Sequence, residues 1–491
     1  MRPELPGFYF DEEKKKYFAI KGPIPGSKPS SSKTKQKPEP KPFKEPNYQK
    51  RNKLKALKLL CSRELCGNVV FINKKKSNFK DEIEKTHASN PMVWRYDSTE
   101  NIGDAALKEF QVDLQTSEGL TTKNILVAGS SGGCLSILRV SKAGQVPFDE
   151  SETQALYGGT ECDPVSVLPR KEKREAPRRI WRPEHSHLHA LSSISSIQLI
   201  GRPDNSHHVK RALITTLGSA GQGSIFILNL AEEPYIVSPR SLQGNASSEC
   251  TIWTADCSVS GSRAAIGTNL GAALVDLETG AGSYFLRSQS DVLALQFHQS
   301  KRNIVQCGLR NGAIVSVDVR ERPGRLTRHQ IRSQPSSRTS QATRKKEWFK
   351  LSGNINPSHV FYMPSSITCM KTLKTYDQYL MASSMDGTIK LYDQRMVKGG
   401  VAVQTYEGHV NSHTRIEFGI DPSETFLMSG GEDCYTRIWS IKSGQLLCEN
   451  KFSNCVPSVV CWSAVEGQSE SNDSIVHRAW LGSREAMFNM F

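Results

Sequence analysis

Leu380-Met381-Ala382-Ser383-Ser384-Met385-Asp386-Gly387-Thr388-Ile389-Lys390-Leu391-Tyr392-Asp393 and Phe426-Leu427-Met428-Ser429-Gly430-Gly431-Glu432-Asp433-Cys434-Tyr435-Thr436-Arg437-Ile438-Trp439-Ser440 are two copies of one pattern. Each reads as a short apolar strand, a tight turn carrying Asp, and a second strand that brings in an aromatic residue near its end. Working outward, equivalent positions recur at Leu138 (after Ser131-Gly132-Gly133), Leu228 (after Gly221-Gln222-Gly223), Val275, Val317, Tyr392, Trp439 and Phe488. The spacings between them are 90, 47, 42, 75, 47 and 49 residues.

The shorter spacings lie within or just above the period of WD repeats, each of which forms one four-stranded propeller blade. The spacing of 75 holds a basic insertion near residues 321–357, and that of 90 holds a polar, turn-rich insertion near residues 141–184, with Pro147, Gly158-Gly159, Pro164 and Pro169. Two insertions leave seven blades. The expected fold is therefore all-β, a seven-bladed WD40 β-propeller over residues 90–491, with a basic, partly disordered N-terminal extension. A strand near Met92–Tyr96, or one near Val69–Ile72, is expected to complete the C-terminal blade. In the sixth blade Gly408-His409 stands 30 residues before Trp439. His409, Ser429, Asp433 and Trp439 are expected to form a buried hydrogen-bond chain, because a buried imidazole and indole must find partners. Their role is structural.

Ahead of the repeats, residues 1–20 hold two aromatic runs, Phe8-Tyr9-Phe10 and Tyr17-Phe18, around a charged turn, which predicts a hairpin. Residues 21–50 read as a Pro/Lys-rich linker. Residues 51–67 read as a short helix: Leu54, Leu57, Cys61 and Leu65 form a stripe that Leu60 widens, with Lys53, Lys55, Lys58 and Arg63 opposite and Gly67 as a stop. Residues 22–46 and 324–347 contain too few apolar side chains to offset the entropy of ordering, and are expected to be disordered.

The formal net charge is +15, but it is not spread evenly. Residues 1–60 carry 16 Lys/Arg against 6 Asp/Glu, residues 321–350 carry 9 against 2, and the remainder of the chain is close to neutral. Neither basic segment interleaves aromatic residues as a stacking platform for nucleic acid does, so solvation or nuclear import is the expected role. None of the 12 cysteines forms a Cys-x-x-Cys pair, which fits reduced thiols in the nucleus or cytoplasm. There is no run of 18 apolar residues and no apolar leader segment, so neither a membrane span nor secretion is expected.

A search for chemistry finds none: there is no nucleophile elbow, no His-Glu-x-x-His and no cysteine–histidine signature. Gly218-Ser219-Ala220-Gly221-Gln222-Gly223 lacks the Lys-Ser/Thr of a phosphate loop and reads as a hairpin. His185, His187 and His189 alternate but suggest no fourth ligand. No metal, cofactor or catalytic residue is expected.

Two tetrapeptides match each other. Val317-Asp318-Val319-Arg320 and Tyr392-Asp393-Gln394-Arg395 each close the third strand of a blade, in consecutive blades. An apolar or aromatic residue anchors each in the sheet, the Asp can pin the turn, and the Arg projects from one rim. Such a pair could form a partner patch, or bond only to local acceptors. At these residues the chain resembles the WD-repeat substrate receptors of cullin-4 ubiquitin ligases, whose repeats end in Trp-Asp-x-Arg. Within that family it resembles the cullin-4-associated factors numbered four, which share the Pro3-Glu4-Leu5-Pro6-Gly7-Phe8-Tyr9-Phe10-Asp11 segment, Tyr406-Glu407-Gly408-His409-Val410-Asn411 and Asp433-Cys434-Tyr435-Thr436-Arg437-Ile438-Trp439-Ser440. The resemblance implies that Asp318, Arg320, Asp393 and Arg395 contact the ligase's adaptor, the damage-specific DNA-binding protein, and that the chain recruits a protein substrate. The alternative is a WD-repeat scaffold in a nuclear nucleic-acid-associated complex that uses its basic segments.

Overall fold

The computed structural model describes residues 8–11, 16–19, 59–61, 63–64, 67–72, 75–116, 119–141, 159–167, 177–183, 186–201, 211–218, 222–230, 236–240, 250–320, 327–332, 348–396, 401–463 and 478–490. Residues 22–46, and residues 324–326 and 333–347 of the basic insertion, lie outside these. The chain divides into two units, Met1–Arg51 and Asn52–Phe491. In the first, Phe8–Asp11 pairs antiparallel with Lys16–Ala19, Tyr9 opposite Phe18 and Phe10 opposite Tyr17.

The second unit carries seven antiparallel blades. Blade one starts with Ala106–Thr116, Gly119–Gly129 and Cys134–Val140; blade two runs from Ile194–Ile200 to Ile236–Arg240. Blade three starts with Ile252–Cys257, Arg263–Thr268, Gly271–Asp276 and Gly282–Ser288. Blade four comprises Val292–Phe297, Ile304–Leu309, Ala313–Asp318 and Ile355–Tyr362. Blade five runs from Ile367–Thr372 to Gln404–Tyr406, and blade six from Gly419–Ile420 to Leu446–Lys451. Blade seven is built from Val459–Trp462, Ala479–Gly482 and Met487–Met490, and Val93–Tyr96 completes it, with Met487 opposite Tyr96. This last pairing ties the two ends of the ring together. The seven marker residues from Leu138 to Phe488 all fall on third strands, and all are fully buried.

There is no single central core. Seven clusters of buried side chains each fill one interface between neighbouring blades, and the one joining blades seven and one holds Tyr96, Leu126, Leu138 and Trp480. Blades are therefore buried on both faces, which is why their strands read as unbroken apolar runs. Adjacent blades approach closely at the ends of second strands. A Cβ on Gly430 would lie 1.8 Å from the Pro457 carbonyl oxygen, and one on Gly482 1.8 Å from that of Gly103.

The insertion near 141–184 adds strands to existing sheets. Gly159–Cys162 and Ile180–Pro183 extend blade one, and Pro164–Ser166 pairs with the closing strand of blade seven. Two expectations need correction. Within 324–347, Arg328–Arg332 is a strand that pairs with Trp348–Gly353, and this hairpin lengthens blade three to six strands. Backbone pairing to a preformed sheet edge supplies order that the composition of the segment does not suggest. In the segment 51–67, the described residues 59–61 and 63–64 are helical, but Leu59 is buried against Phe79 while Leu60 and Cys61 are exposed. The buried stripe is thus offset from the one read from Leu54, Leu57, Cys61 and Leu65. A ten-residue helix, Phe79–Ala88, follows.

Candidate functional site

The two Asp-x-Arg boxes occupy equivalent places in blades four and five. Val317 and Tyr392 are fully buried between blades, and the Tyr392 ring lies 5.2 Å from that of Phe361. Each anchor fixes the following aspartate at the strand end. Asp318 Oδ1 accepts the Arg320 backbone N–H at 3.0 Å and its Nε–H at 3.0 Å, and the Arg320 Nη2 donates to Asp318 Oδ2. Asp393 repeats the arrangement, accepting from Arg395 N at 2.9 Å, Nε at 3.0 Å and Nη2 at 2.8 Å. Hydrogen bonds from the arginine side chain are the main cause that holds both carboxyls below the usual carboxylate range. Both guanidinium groups nevertheless remain open to solvent: the side chains of Arg320 and Arg395 are 70% and 66% exposed, those of their aspartates 16% and 6%.

This geometry joins the two readings of the boxes. Each arginine does bond a local carboxylate, but one edge of the fork suffices for that, and the remaining donors face outward. A side chain already held in one rotamer loses less entropy when a partner docks. The second box is also tied to blade four. Gln306, buried on the second strand of blade four, donates from Nε2 to Gln394 Oε1 at 2.7 Å, and Gln394 is the middle residue of the second box. Ser300 donates to Asp377 Oδ2 at 2.5 Å, joining the first-to-second-strand loops of the same two blades. Met396 follows Arg395 directly and is exposed, as are the apolar side chains Tyr376, Val401 and Val403 of the same blade. A recess of about 230 Å³, lined in part by Phe297, Arg302, Asn303 and Val319, opens beside the first box. Two cations with apolar neighbours make a surface suited to protein contact. Gln306 and Gln394 escaped the sequence reading because a glutamine on a strand carries no signal until its partner is known.

The four structural residues of blade six are not joined as expected. His409, Ser429 and Trp439 are buried, but Asp433 is only partly so, and no hydrogen bond links His409 to the other three. Trp439 Nε1 donates to the Glu407 carbonyl at 2.8 Å, and Ser429 Oγ to that of Gly430 at 3.0 Å. Asp433 instead receives both ends of the Arg437 guanidinium, whose Nε also binds Glu449 at 2.8 Å. A bidentate cation is a stronger partner for a carboxylate than a neutral imidazole.

Burial, followed by the nearby Arg437 charge, lowers the His409 pKa to about 4. Above pH 6.5 neither the folded nor the unfolded chain protonates this ring. As pH falls from there toward 4, the unfolded chain gains a proton that the native state refuses, and up to about 3 kcal/mol of stability is lost. His298, also lowered by burial, adds to this slope, and Asp256, raised by burial to about 6, opposes it. The informative quantity is therefore the difference between wild type and His409→Gln. Urea unfolding from pH 7.5 to 4.5 should show the variant losing less stability on acidification; parallel curves would place His409 in contact with solvent.

One arrangement on the opposite rim imitates a catalytic triad. Ser412 Oγ lies 2.7 Å from His413 Nδ1 and 2.6 Å from Glu432 Oε2. The carboxylate contacts the same ring nitrogen as the serine, so it cannot orient the imidazole as a base. Glu432 instead accepts the backbone N–H groups of His413 and Thr414 at 3.0 and 2.8 Å, capping the loop. Among the described residues, no group of three or more His, Cys, Asp or Glu converges as a metal site, and no disulfide joins the described cysteines. His187 and His189 lie exposed on one strand, and His185 falls outside the described residues.

Comparison with known proteins adds the following. Residues 245–475, which contain both boxes, match the family described as the DDB1- and CUL4-associated factor 4 beta-propeller domain. Human DDB1- and CUL4-associated factor 4 is 26% identical over 462 residues, covering 91% of this chain and 78% of that protein. The bovine protein of the same name is 45% identical over 83 residues, which is 17% of this chain and 16% of that protein. Human DDB1- and CUL4-associated factor 4-like protein 2 is 38% identical over 108 residues, or 21% of this chain and 26% of that protein.

Proposed function

Because the chain is a seven-bladed WD-repeat propeller resembling the DDB1- and CUL4-associated factor 4 proteins, we propose that it is a substrate-receptor subunit of a cullin-4 RING ubiquitin ligase. In this reading it has no catalytic activity of its own and works in the nucleus or cytoplasm. Asp318, Arg320, Asp393 and Arg395 bind the damage-specific DNA-binding adaptor protein, and other surfaces recruit a protein substrate. The observation that carries the proposal is the pair of exposed, aspartate-clamped arginines on consecutive blades, at the same end of equivalent strands.

The test is the double variant Arg320→Ala with Arg395→Ala. Exposed arginines contribute little to folding, within about 0.5 kcal/mol, so melting should be almost unchanged. Truncating two interface anchors should weaken adaptor binding at least about tenfold, measured by co-purification and by titration of purified proteins. Wild-type affinity in the double variant would make the boxes structural and move the nucleic-acid scaffold ahead.

A further inference from the structure

The hairpin that lengthens blade three creates a surface that the adaptor rim does not use. Its register places three cations on one face. Arg287 and Arg328 both stand directly opposite Ser352, from either side, and Lys350 lies two residues before Ser352 on the same strand. Residues opposite each other in neighbouring strands share a face, as do residues two apart in one strand. Leu351, on the other face, is fully buried in the blade. All three cations are exposed, and none forms an ion pair among the described residues.

Beside them lies a groove of about 290 Å³, lined by Leu270, Tyr284, Arg287, Ser288, Lys350 and Ser352, among others. Leu270 is 40% exposed at its edge. The Arg287 guanidinium lies over the Tyr284 ring, 5.2 Å from its centroid. Arg328–Arg332 is the last strand of the six-stranded sheet, so its outer backbone edge is not paired within that sheet. The groove also sits at the far end of the blade from the boxes. Strand Gly271–Asp276 runs from Leu270 at the groove to Asp276, the counterpart of the box aspartates, and Gly282–Ser288 returns to the groove.

We infer that this face binds an acidic peptide segment of a partner protein, with its carboxylates on Arg287, Lys350 and Arg328 and an apolar side chain against Leu270. Three cations without ion pairs, two of them lining a groove edged by Leu270, match an acidic segment carrying an apolar anchor, and the open strand edge offers main-chain hydrogen bonds to an extended chain. Single-stranded nucleic acid fits less well. The aromatic ring in the groove is covered by its own arginine, which leaves no free face for a base to stack on. The inference rests on the receptor reading for what becomes of the partner, and the opposed positions allow peptide and adaptor to be held together.

The probe is a fluorescein-labelled Asp-Glu-Leu-Asp-Glu peptide, titrated by anisotropy against the full chain. Its Asn-Gln-Leu-Asn-Gln counterpart and a single-stranded RNA of matched charge serve as controls. The acidic peptide should bind, its affinity should fall with salt, and the double variant Arg287→Gln with Lys350→Gln should weaken it about tenfold. The neutral peptide should bind at least tenfold more weakly than the acidic one. The same variant should keep wild-type melting and adaptor co-purification, which separates failure here from failure of the adaptor rim. No binding of the acidic peptide at millimolar concentration, equal binding of the neutral peptide, an unchanged affinity in the variant, or selective loss of RNA binding would each overturn the inference.

Discussion

Arg178→Ala should cost about 3–5 kcal/mol of stability, the amount expected when one member of a buried ion pair is removed. Arg178 comes from the insertion and is the most deeply buried arginine among the described residues. Its Nη1 donates to Glu109 Oε1 at 2.7 Å, with both side chains almost completely buried. Trp480 Nε1 donates to the other oxygen of Glu109 at 2.9 Å, and Tyr96 donates its hydroxyl to the Arg178 carbonyl at 2.7 Å. These four residues come from blade one, the insertion, blade seven and the closing strand, so the cluster spans the seam where the ring shuts. Removing the cation leaves the Glu109 carboxyl without its ion partner in a site with little solvent. The pair itself is worth less than this loss suggests, because both ions had to be desolvated. The combination Glu109→Gln with Arg178→Met should therefore recover most of the loss, since glutamine still accepts from Trp480. Denaturant unfolding of the single and combined variants decides the matter: equal losses in both would mean that the pair's net attraction, and not the stranded carboxylate, sets the cost.

That seam also shows the limit of what could be read in advance. The repeat spacing was legible because each blade must place a bulky side chain at the same point of its third strand, from Leu138 to Phe488. The closing strand was legible only as one of two short candidates before the first repeat: Val93–Tyr96 closes the ring, whereas Val69–Ile72 pairs with Lys75–Asn78. The boxes were legible because Asp-x-Arg is a local motif whose turn chemistry acts over two residues. Interactions between distant segments were not. Arg178 sits in a stretch that reads as polar loop, and its partner is 69 residues away. The helix Phe79–Ala88 gives little signal because its few packed apolar residues, Phe79, Ile83 and Ala88, form no strong stripe. It is held by its Asn78 cap and by charges matched to its dipole, Asp81 and Glu82 at the start and Lys85 and His87 at the end.

Trp439→Ala should be comparably damaging, at about 3–5 kcal/mol for truncation of a fully buried aromatic residue. Trp439 fills the interface between blades five and six with Tyr406, Phe418, Leu427 and Ile441. Its Nε1 also satisfies the Glu407 carbonyl, so the indole straps the loop before the blade to the third strand. The same position is Tyr in blade five and Val in blades three and four, all buried without remainder. A common position filled by different volumes should give a graded series, because the cost follows the apolar area and the cavity left behind. Tyr392→Ala should approach the tryptophan value, whereas Val275→Ala and Val317→Ala should each cost about 1–2 kcal/mol less than Tyr392→Ala. Trp439→Phe isolates the hydrogen bond: it keeps most of the packing but removes the donor to the carbonyl of exposed Glu407, which should cost about 0.5–1.5 kcal/mol. A flat series, with Trp439→Ala no worse than Val317→Ala, would mean that the blades tolerate cavities at this point and that the marker residue does not set the blade interface. A steep series would explain how the repeat remains detectable by spacing where its signature residues have been replaced.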